Sequence, residues 1–491
     1  MVKRLQHLIG KHLVQGDSAT WGQVYDPATG TLLAEVPLDA GESVTLAVRE
    51  AVAAFPSWKA TPILHRARVM FRYRELLERY REDLARMVTL EHGKTLDDAN
   101  GEVGRGIEVV EVAASAPSLL KGETLTDVAR GIDTTMVRVP LGVVAGITPF
   151  NFPAMIPLWM MPLALVAGNS FILKPSERTP LTSMRLAELL FEAGLPEGVL
   201  NVVHGGRETV DALLSSPEVK AISFVGSQPV AEYVYRTASG LGKRVQALGG
   251  AKNYHVVMAD ADLTRTVPAL MQSAFGAAGE RCLAGSVVIA VGDVAGPLLA
   301  HLRNAADRWR VGSGLDADVD MGPLIRAEHR DRVAGYVEAG IEEGAELIRD
   351  GRTGDWPTGG FFLGPTIFDR VQPEMTIARE EIFGPVLSVI REPDLPSAVR
   401  TANRSRFGNT ATIYTESGGA ARYFREHIEA GMVGVNVGVA APVAVFPFAG
   451  WKQSFYGDLH ATGMDGLLFY TERQVITARW WGGNGSPRLA E

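Results

Sequence analysis

Two periodicities divide this chain. From Gly41 to about Leu120 the apolar positions recur at helical spacing: Val44, Ala47, Val48, Ala51 and Val52 fall at i, i+3 and i+4, and residues 66–92 form a further amphipathic stretch. Residues 1–40 read instead as short strands and turns, with Tyr25-Asp26-Pro27-Ala28-Thr29-Gly30 as a turn. Beyond 142 the texture changes. Short apolar runs at 143–147, 170–173, 200–203 and 221–225 suit buried strands, and helical patterns at 152–167, 182–193 and near 208–214 separate them. A second alternation starts near Tyr254, with strands at 255–258 and 286–291 and helices at 262–275, 297–309 and 328–343. Repeated strand–helix–strand units predict an α/β fold with doubly wound parallel sheets, which bind ligands beyond the carboxyl ends of their strands. A last strand is expected at 475–480, followed by a mobile Gly/Ser/Pro tail.

A chain of 491 residues exceeds one ordinary core, so two or three domains are expected. With 46% hydrophobic and 21% charged residues, the composition is that of a soluble globular protein. The net charge of −8 is interspersed, leaving no electrostatic footprint for nucleic acid. Residues 152–168 carry no charge but contain Pro153, Pro157 and Pro162; at the lower length limit for a membrane span, they read as a buried helix. No signal-peptide pattern opens the chain, and the single cysteine excludes an intramolecular disulfide and a Cys-rich metal site. A cytoplasmic protein without a metal is expected.

That cysteine, Cys282, lies in Ala278-Gly279-Glu280-Arg281-Cys282-Leu283, directly after a helical run. A buried inert thiol and a nucleophile are both compatible with the local sequence. No Gly-x-Gly-x-x-Gly follows the strands of the first alternation, but Ser223-Phe224-Val225-Gly226-Ser227 ends a strand and opens a helix, where a pyrophosphate can be held. Two further segments close strands: Thr148-Pro149-Phe150-Asn151-Phe152-Pro153 and Leu173-Lys174-Pro175-Ser176-Glu177. Asn151 is also well placed to cap the helix that follows.

Together with Glu381-Ile382-Phe383-Gly384-Pro385, these segments resemble the NAD(P)-dependent aldehyde dehydrogenase superfamily over almost the whole chain. The resemblance implies that Cys282 attacks the aldehyde, that the adduct expels hydride to leave a thioester, and that Asn151 with the Cys282 N–H holds the oxyanion. It places Lys174, Glu177 and Arg178 near the adenosine ribose of NAD and Glu381 at the nicotinamide ribose, with Phe383 packed nearby. Thr148, Phe150, Gly226, Ser227 and Gly249 complete the lining. Glu177 favours NAD, because a carboxylate repels a 2′-phosphate.

Hydrolytic members usually carry Glu-Leu-Gly-Gly-Lys. Here the segment is Gln246-Ala247-Leu248-Gly249-Gly250-Ala251-Lys252-Asn253, with Ala247 read at the place of the water-activating glutamate. This gap, with Glu91-His92-Gly93-Lys94-Thr95, Gly250-Ala251-Lys252-Asn253 and Ser454-Phe455-Tyr456-Gly457-Asp458-Leu459, resembles the coenzyme A-acylating methylmalonate-semialdehyde dehydrogenase branch. The branch implies coenzyme A as co-substrate, methylmalonate or malonate semialdehyde as aldehyde, loss of CO₂, and Arg105 and Arg281 as holders of the substrate carboxylate. Arg281 is also expected to lower the Cys282 pKa, and an ion pair of Arg105 with Glu102 or Glu108 is the structural alternative.

The chain departs from that branch at Glu280, where glutamine is usual, at Leu248-Gly249 and at Trp451-Lys452-Gln453. Glu280 would be an auxiliary base or face solvent. The rival readings are a hydrolytic aldehyde dehydrogenase and a catalytically idle NAD-binding oligomer. The expected organisation is an NAD-binding domain (1–122 and 142–248), a catalytic domain (249–430), a bridging segment (431–463) and a β oligomerisation arm (123–141 and 464–491). The arm would join a neighbour's sheet in a dimer or, by resemblance, a homotetramer.

Overall fold

The computed structural model describes residues 2–479 apart from Asp17, Asp39 and Ala40. Trp480 and the Gly/Ser/Pro tail lie outside the described residues. The first sheet runs in the order Phe455–Tyr456, Arg244–Leu248, Val219–Val225, Val143–Ile147, Ser170–Lys174, Leu200–Val202, His7–Ile9, His12–Val14. Its five inner strands are parallel, and the pairs at its two edges are antiparallel. From Val143–Ile147 the chain steps outward through 170 and 200, then returns to 219 and 244 on the other side. The strand order therefore reverses beside Val143–Ile147, which makes the carboxyl ends there the expected ligand crevice.

Continuous β-branched and aliphatic runs fit strands buried on both faces. Val143–Ile147 and Ser170–Lys174 are buried at every position. One face packs on the apolar Met155–Val166 helix, itself buried throughout, and the other on a cluster with Val48, Val210 and Val234. That helix is the 152–168 segment. No helix among the described residues is long and apolar enough to cross a membrane.

The second sheet runs Glu346–Arg349, Thr366–Asp369, Val386–Glu392, Val287–Val291, Tyr254–Val257, Thr410–Tyr414, Met432–Val435, parallel except for the first pair. It has its own core. Met432–Val435 pairs with Thr410–Tyr414, so this sheet continues past residue 430, the boundary drawn from sequence.

The third sheet joins Thr471–Arg479, Ile132–Pro140 and Glu123–Ala129, antiparallel throughout. Its last strand starts earlier than the expected 475, because all nine of its residues register against Ile132–Pro140. Residues 464–469, assigned to the arm from sequence, belong instead to the Gly463–Phe469 helix, whose Leu467 and Phe469 enter the same core as Met155–Val166.

Candidate active site

Four strand ends of the first sheet deliver the sequence-predicted residues to one region. Ile147 is in register with Lys174 and Phe224, and Val225 with Leu248. Thr148, Lys174, Gly226 and Gly249 consequently sit side by side at the carboxyl edge. Gly226 and Gly249 have no room for a side chain: a Cβ would lie 2.5 Å from the Phe224 ring and 2.9 Å from the Gln453 carbonyl oxygen. Ser227 opens the Gln228–Gly240 helix without a side-chain cap, so its first-turn N–H groups keep their donor capacity. The Thr148 hydroxyl is buried with no hydrogen-bond partner.

Lys174 Nζ lies 3.4 Å from Glu177 Oε2. Burial raises the Glu177 pKa, but Lys174 and Arg178 outweigh it and hold the carboxyl below its usual range. Arg178 lies over the Phe150 ring, 5.2 Å from its centroid. Phe150 meets Phe383 edge-on at 5.8 Å, and Phe383 adopts a left-handed φ of 59° while its carbonyl pairs with His329 Nε2 at 2.7 Å. Glu381 accepts from the Ala251 N–H at 2.8 Å, and burial lifts its pKa to about 7.

The cysteine loop comes from the second sheet's side. Ala277, Ala278 and Gly279 are consecutively left-handed, with φ of 49°, 53° and 72°. Two alanines in that region are strained, and the strain persists only where surroundings fix it. Asp98 supplies part of that fixing by accepting from the Ala277 N–H at 3.0 Å. Beyond the turn, Asn253 and Asn409 both donate to the Cys282 carbonyl at 2.9 Å. Burial and then the Glu381 charge push the Cys282 thiol up to about 12; Arg281 pulls the other way and loses. Arg281 thus lowers the Cys282 pKa as expected, but burial and Glu381 outweigh it.

Asn151 is buried, and its Nδ2 donates to the Glu280 carbonyl at 2.9 Å. It does not cap the helix. Glu102 does, accepting from the Ala154 and Met155 N–H groups at 2.8 and 3.1 Å. Glu280 neither faces solvent nor lines the cavity at Cys282. Its side chain accepts from the Ile325 N–H at 3.2 Å, with His329 and His92 at 3.5 and 3.7 Å, and burial raises its pKa strongly.

A cavity of about 290 Å³ opens at Cys282, walled by Phe152, Met155, Trp159 and Phe448, with Arg105 and Arg281 among its lining. Arg281 is engaged: it donates to the Gln272 carbonyl and lies 3.9 Å from Asp98. Arg105 is exposed and, among the described residues, pairs with neither Glu102 nor Glu108; Lys94 takes Glu102. No cluster of metal-ligating side chains occurs among the described residues.

The family model described as "Aldehyde dehydrogenase family" matches residues 13–476. The chain belongs to the aldehyde dehydrogenase family. Among its relatives, a malonate-semialdehyde dehydrogenase of Halalkalibacterium halodurans is 56% identical over 97% of this chain and 99% of the relative. One of Geobacillus thermodenitrificans is 57% identical with the same coverage. In solved structures, the methylmalonate-semialdehyde dehydrogenase of Oceanimonas doudoroffii superposes with a TM-score of 0.96 at 50% identity, covering 98% of this chain and 99% of that one. A Sinorhizobium meliloti structure complexed with NAD reaches 0.97 at 45% identity, covering 99% of each.

Within this aldehyde dehydrogenase fold, strand alternation revises one sequence assignment. Ala247 points into the cluster with Phe224 and Val234, whereas Leu248 enters the cluster against which Cys282 packs. The apolar replacement on the cysteine's side of the sheet is Leu248. Sequence reading gave no role to Lys94, Asp98, Asn253 or Asn409, and offered Glu102 only as an ion-pair partner of Arg105. A signal existed for Glu102: it falls on the apolar face of Leu96–Ala114 with Ala99, Val103 and Gly106, where an unpaired carboxylate is not tolerated.

Proposed function

We propose that this chain oxidises malonate semialdehyde or methylmalonate semialdehyde with NAD and coenzyme A, releasing CO₂ and acetyl-CoA or propionyl-CoA. The observation that carries the reading is that Cys282 and Arg105, unpaired among the described residues, line one cavity. The relatives named for these two aldehydes support it.

The Cys282 thiolate attacks the aldehyde carbon. The developing oxyanion is held by the Cys282 N–H and by the second N–H of Asn151, whose first is used by Glu280. Collapse of the adduct expels hydride and leaves a thioester on Cys282. NAD, when bound, supplies the hydride acceptor. The close-packed Gly226 and Gly249, the uncapped helix at Ser227 and the orphaned Thr148 hydroxyl fit a dinucleotide at this edge, with Lys174, Glu177, Arg178, Phe150, Phe383 and Glu381 around it. Arg105 holds the β-carboxylate through its planar fork. Loss of CO₂ from the thioester gives an enolate on the same oxygen, and protonation gives the shorter acyl group.

Release then requires a nucleophile. The buried carboxylates nearby are engaged: Glu102 by Lys94 and helix N–H groups, Glu381 by Ala251, Glu280 by Ile325. Each of these buried carboxylates is already bonded, which makes it a poorer base for water, whereas a thiol with a pKa of about 8.5 supplies its own thiolate at neutral pH. The test is NADH formation from each semialdehyde with and without coenzyme A, with mass spectrometry of products. Acyl-CoA formed only with coenzyme A is expected; fast release of free acid without it would overturn the acylating step. In the same assay Arg105→Leu should raise KM for the carboxylated aldehydes about tenfold or more and leave propanal unchanged. An equal effect on both would remove the carboxylate-holding role.

A further inference from the structure

Lys94 and Glu102 form an ion pair inside the protein, with side chains 1% and 0% exposed and 2.7 Å between Nζ and Oε2. Lys94 also donates to the backbone carbonyl of Asn151 at 2.6 Å and lies 4.1 Å from the Phe152 ring centroid. The other oxygen of Glu102 accepts from Ala154 and Met155. The pair thus grips the 151–155 turn at both ends. An apolar pair of the same size would fill such a site at least as stably, because desolvating two charges offsets their attraction. Stability alone does not account for it.

A competition for Asn151 does. Asn151 lies three residues before the cap position Ala154, and an asparagine side chain readily accepts from a backbone N–H two or three residues on. Pro153 has none, so the Ala154 N–H is the group it would take. Here Glu102 already satisfies that group and Lys94 fixes the Asn151 carbonyl, so the Asn151 amide remains available to donate to the Glu280 carbonyl, two residues before Cys282. We propose that Lys94 and Glu102 are positioning residues that hold Asn151 out of the helix cap and in the oxyanion site. The inference rests on the proposed role of Asn151.

The experiment is a double-mutant cycle read by single-turnover NADH formation, with NAD affinity and melting temperature measured alongside. Lys94→Met should slow hydride release about tenfold or more in the otherwise unchanged enzyme, a fraction of the loss of one oxyanion donor. In the Asn151→Ala background it should change the rate less than about twofold, since the group it positions is gone. NAD affinity should be unchanged in both. Equal slowing in the two backgrounds, or none in the first, would overturn the positioning role, whatever happens to melting temperature. If Lys94→Met does not fold, Glu102→Gln runs the same cycle with the same criteria, because it keeps an acceptor for the helix and removes the charge that holds Lys94. An Asn151→Ala enzyme as fast as the unmodified one would instead remove the oxyanion role of Asn151, and this inference with it.

Discussion

The reactivity of Cys282 is set by a contest between neighbours. Burial and the Glu381 carboxylate favour the thiol, Arg281 favours the thiolate, and the thiol prevails with a pKa of about 12. Below its pKa an acid gains about tenfold more conjugate base per pH unit, and the thiolate is the nucleophile. Alkylation by iodoacetamide in the absence of NAD should therefore climb about tenfold per unit from pH 7 to 10 without a plateau. Since Cys282 is the only cysteine, labelling reports on it alone, and Cys282→Ala is the blank. A plateau near pH 7 to 8 would mean that Arg281 dominates. Of the two arginines at the cavity, Arg281 is already committed to Asp98 and the Gln272 carbonyl, which favours Arg105 for the proposed carboxylate-holding role.

Among the elements, two helices start without side-chain caps of their own and are closed by buried glutamates from elsewhere. Glu102 serves Met155–Val166, and Glu91 serves Pro180–Glu192, accepting from the Leu181 and Thr182 N–H groups at 2.8 and 2.9 Å. Glu91→Ala would strand one buried and one part-buried donor and should cost about 1–3 kcal/mol in urea unfolding. The carboxyl also carries a pH signature. Burial raises its pKa from 4.5 to about 7, so the fold favours the protonated form. Its stabilising contribution is complete below pH 4.5 and is lost as pH rises to about 7. Relative to Glu91→Gln, which cannot ionise, the unmodified protein should lose stability between pH 5 and 7.5. A constant difference across that window would show that Glu91 does not titrate there.

At the scale of the molecule, the sheet of Glu123–Ala129, Ile132–Pro140 and Thr471–Arg479 leaves Leu125, Val128, Val475 and Ile476 exposed. An open sheet with apolar side chains invites pairing. We propose that it joins copies of this chain into a dimer or tetramer. Light scattering should find an oligomer, and a Val475→Asp, Ile476→Glu chain should be smaller at equal concentration. A monomeric unmodified chain would remove the proposal.

The order of motifs along the chain identified the family, the alternating fold and the four strand ends, and singled out Cys282 and Asn151 as candidates, because each depends on local periodicity or on residue types at fixed spacing. The strand at 143–147 and the turn at Gly226 are legible for that reason. What local spacing does not contain is which side chain wins a shared partner. Asn151 is a sound cap in sequence, yet Glu102, nearly fifty residues earlier, takes the helix N–H groups and frees it. Arg281 beside Cys282 lowers its pKa as the sequence suggests, yet burial and Glu381, brought from a distant segment, outweigh it. Glu280 reads as an auxiliary base or a solvent-facing carboxylate until folding encloses it with His92, His329 and Ile325. Residue types and periodicity thus determined the fold and singled out the groups proposed to react. The tertiary structure decided their protonation and availability, because burial and competition for hydrogen bonds arise only when distant segments meet.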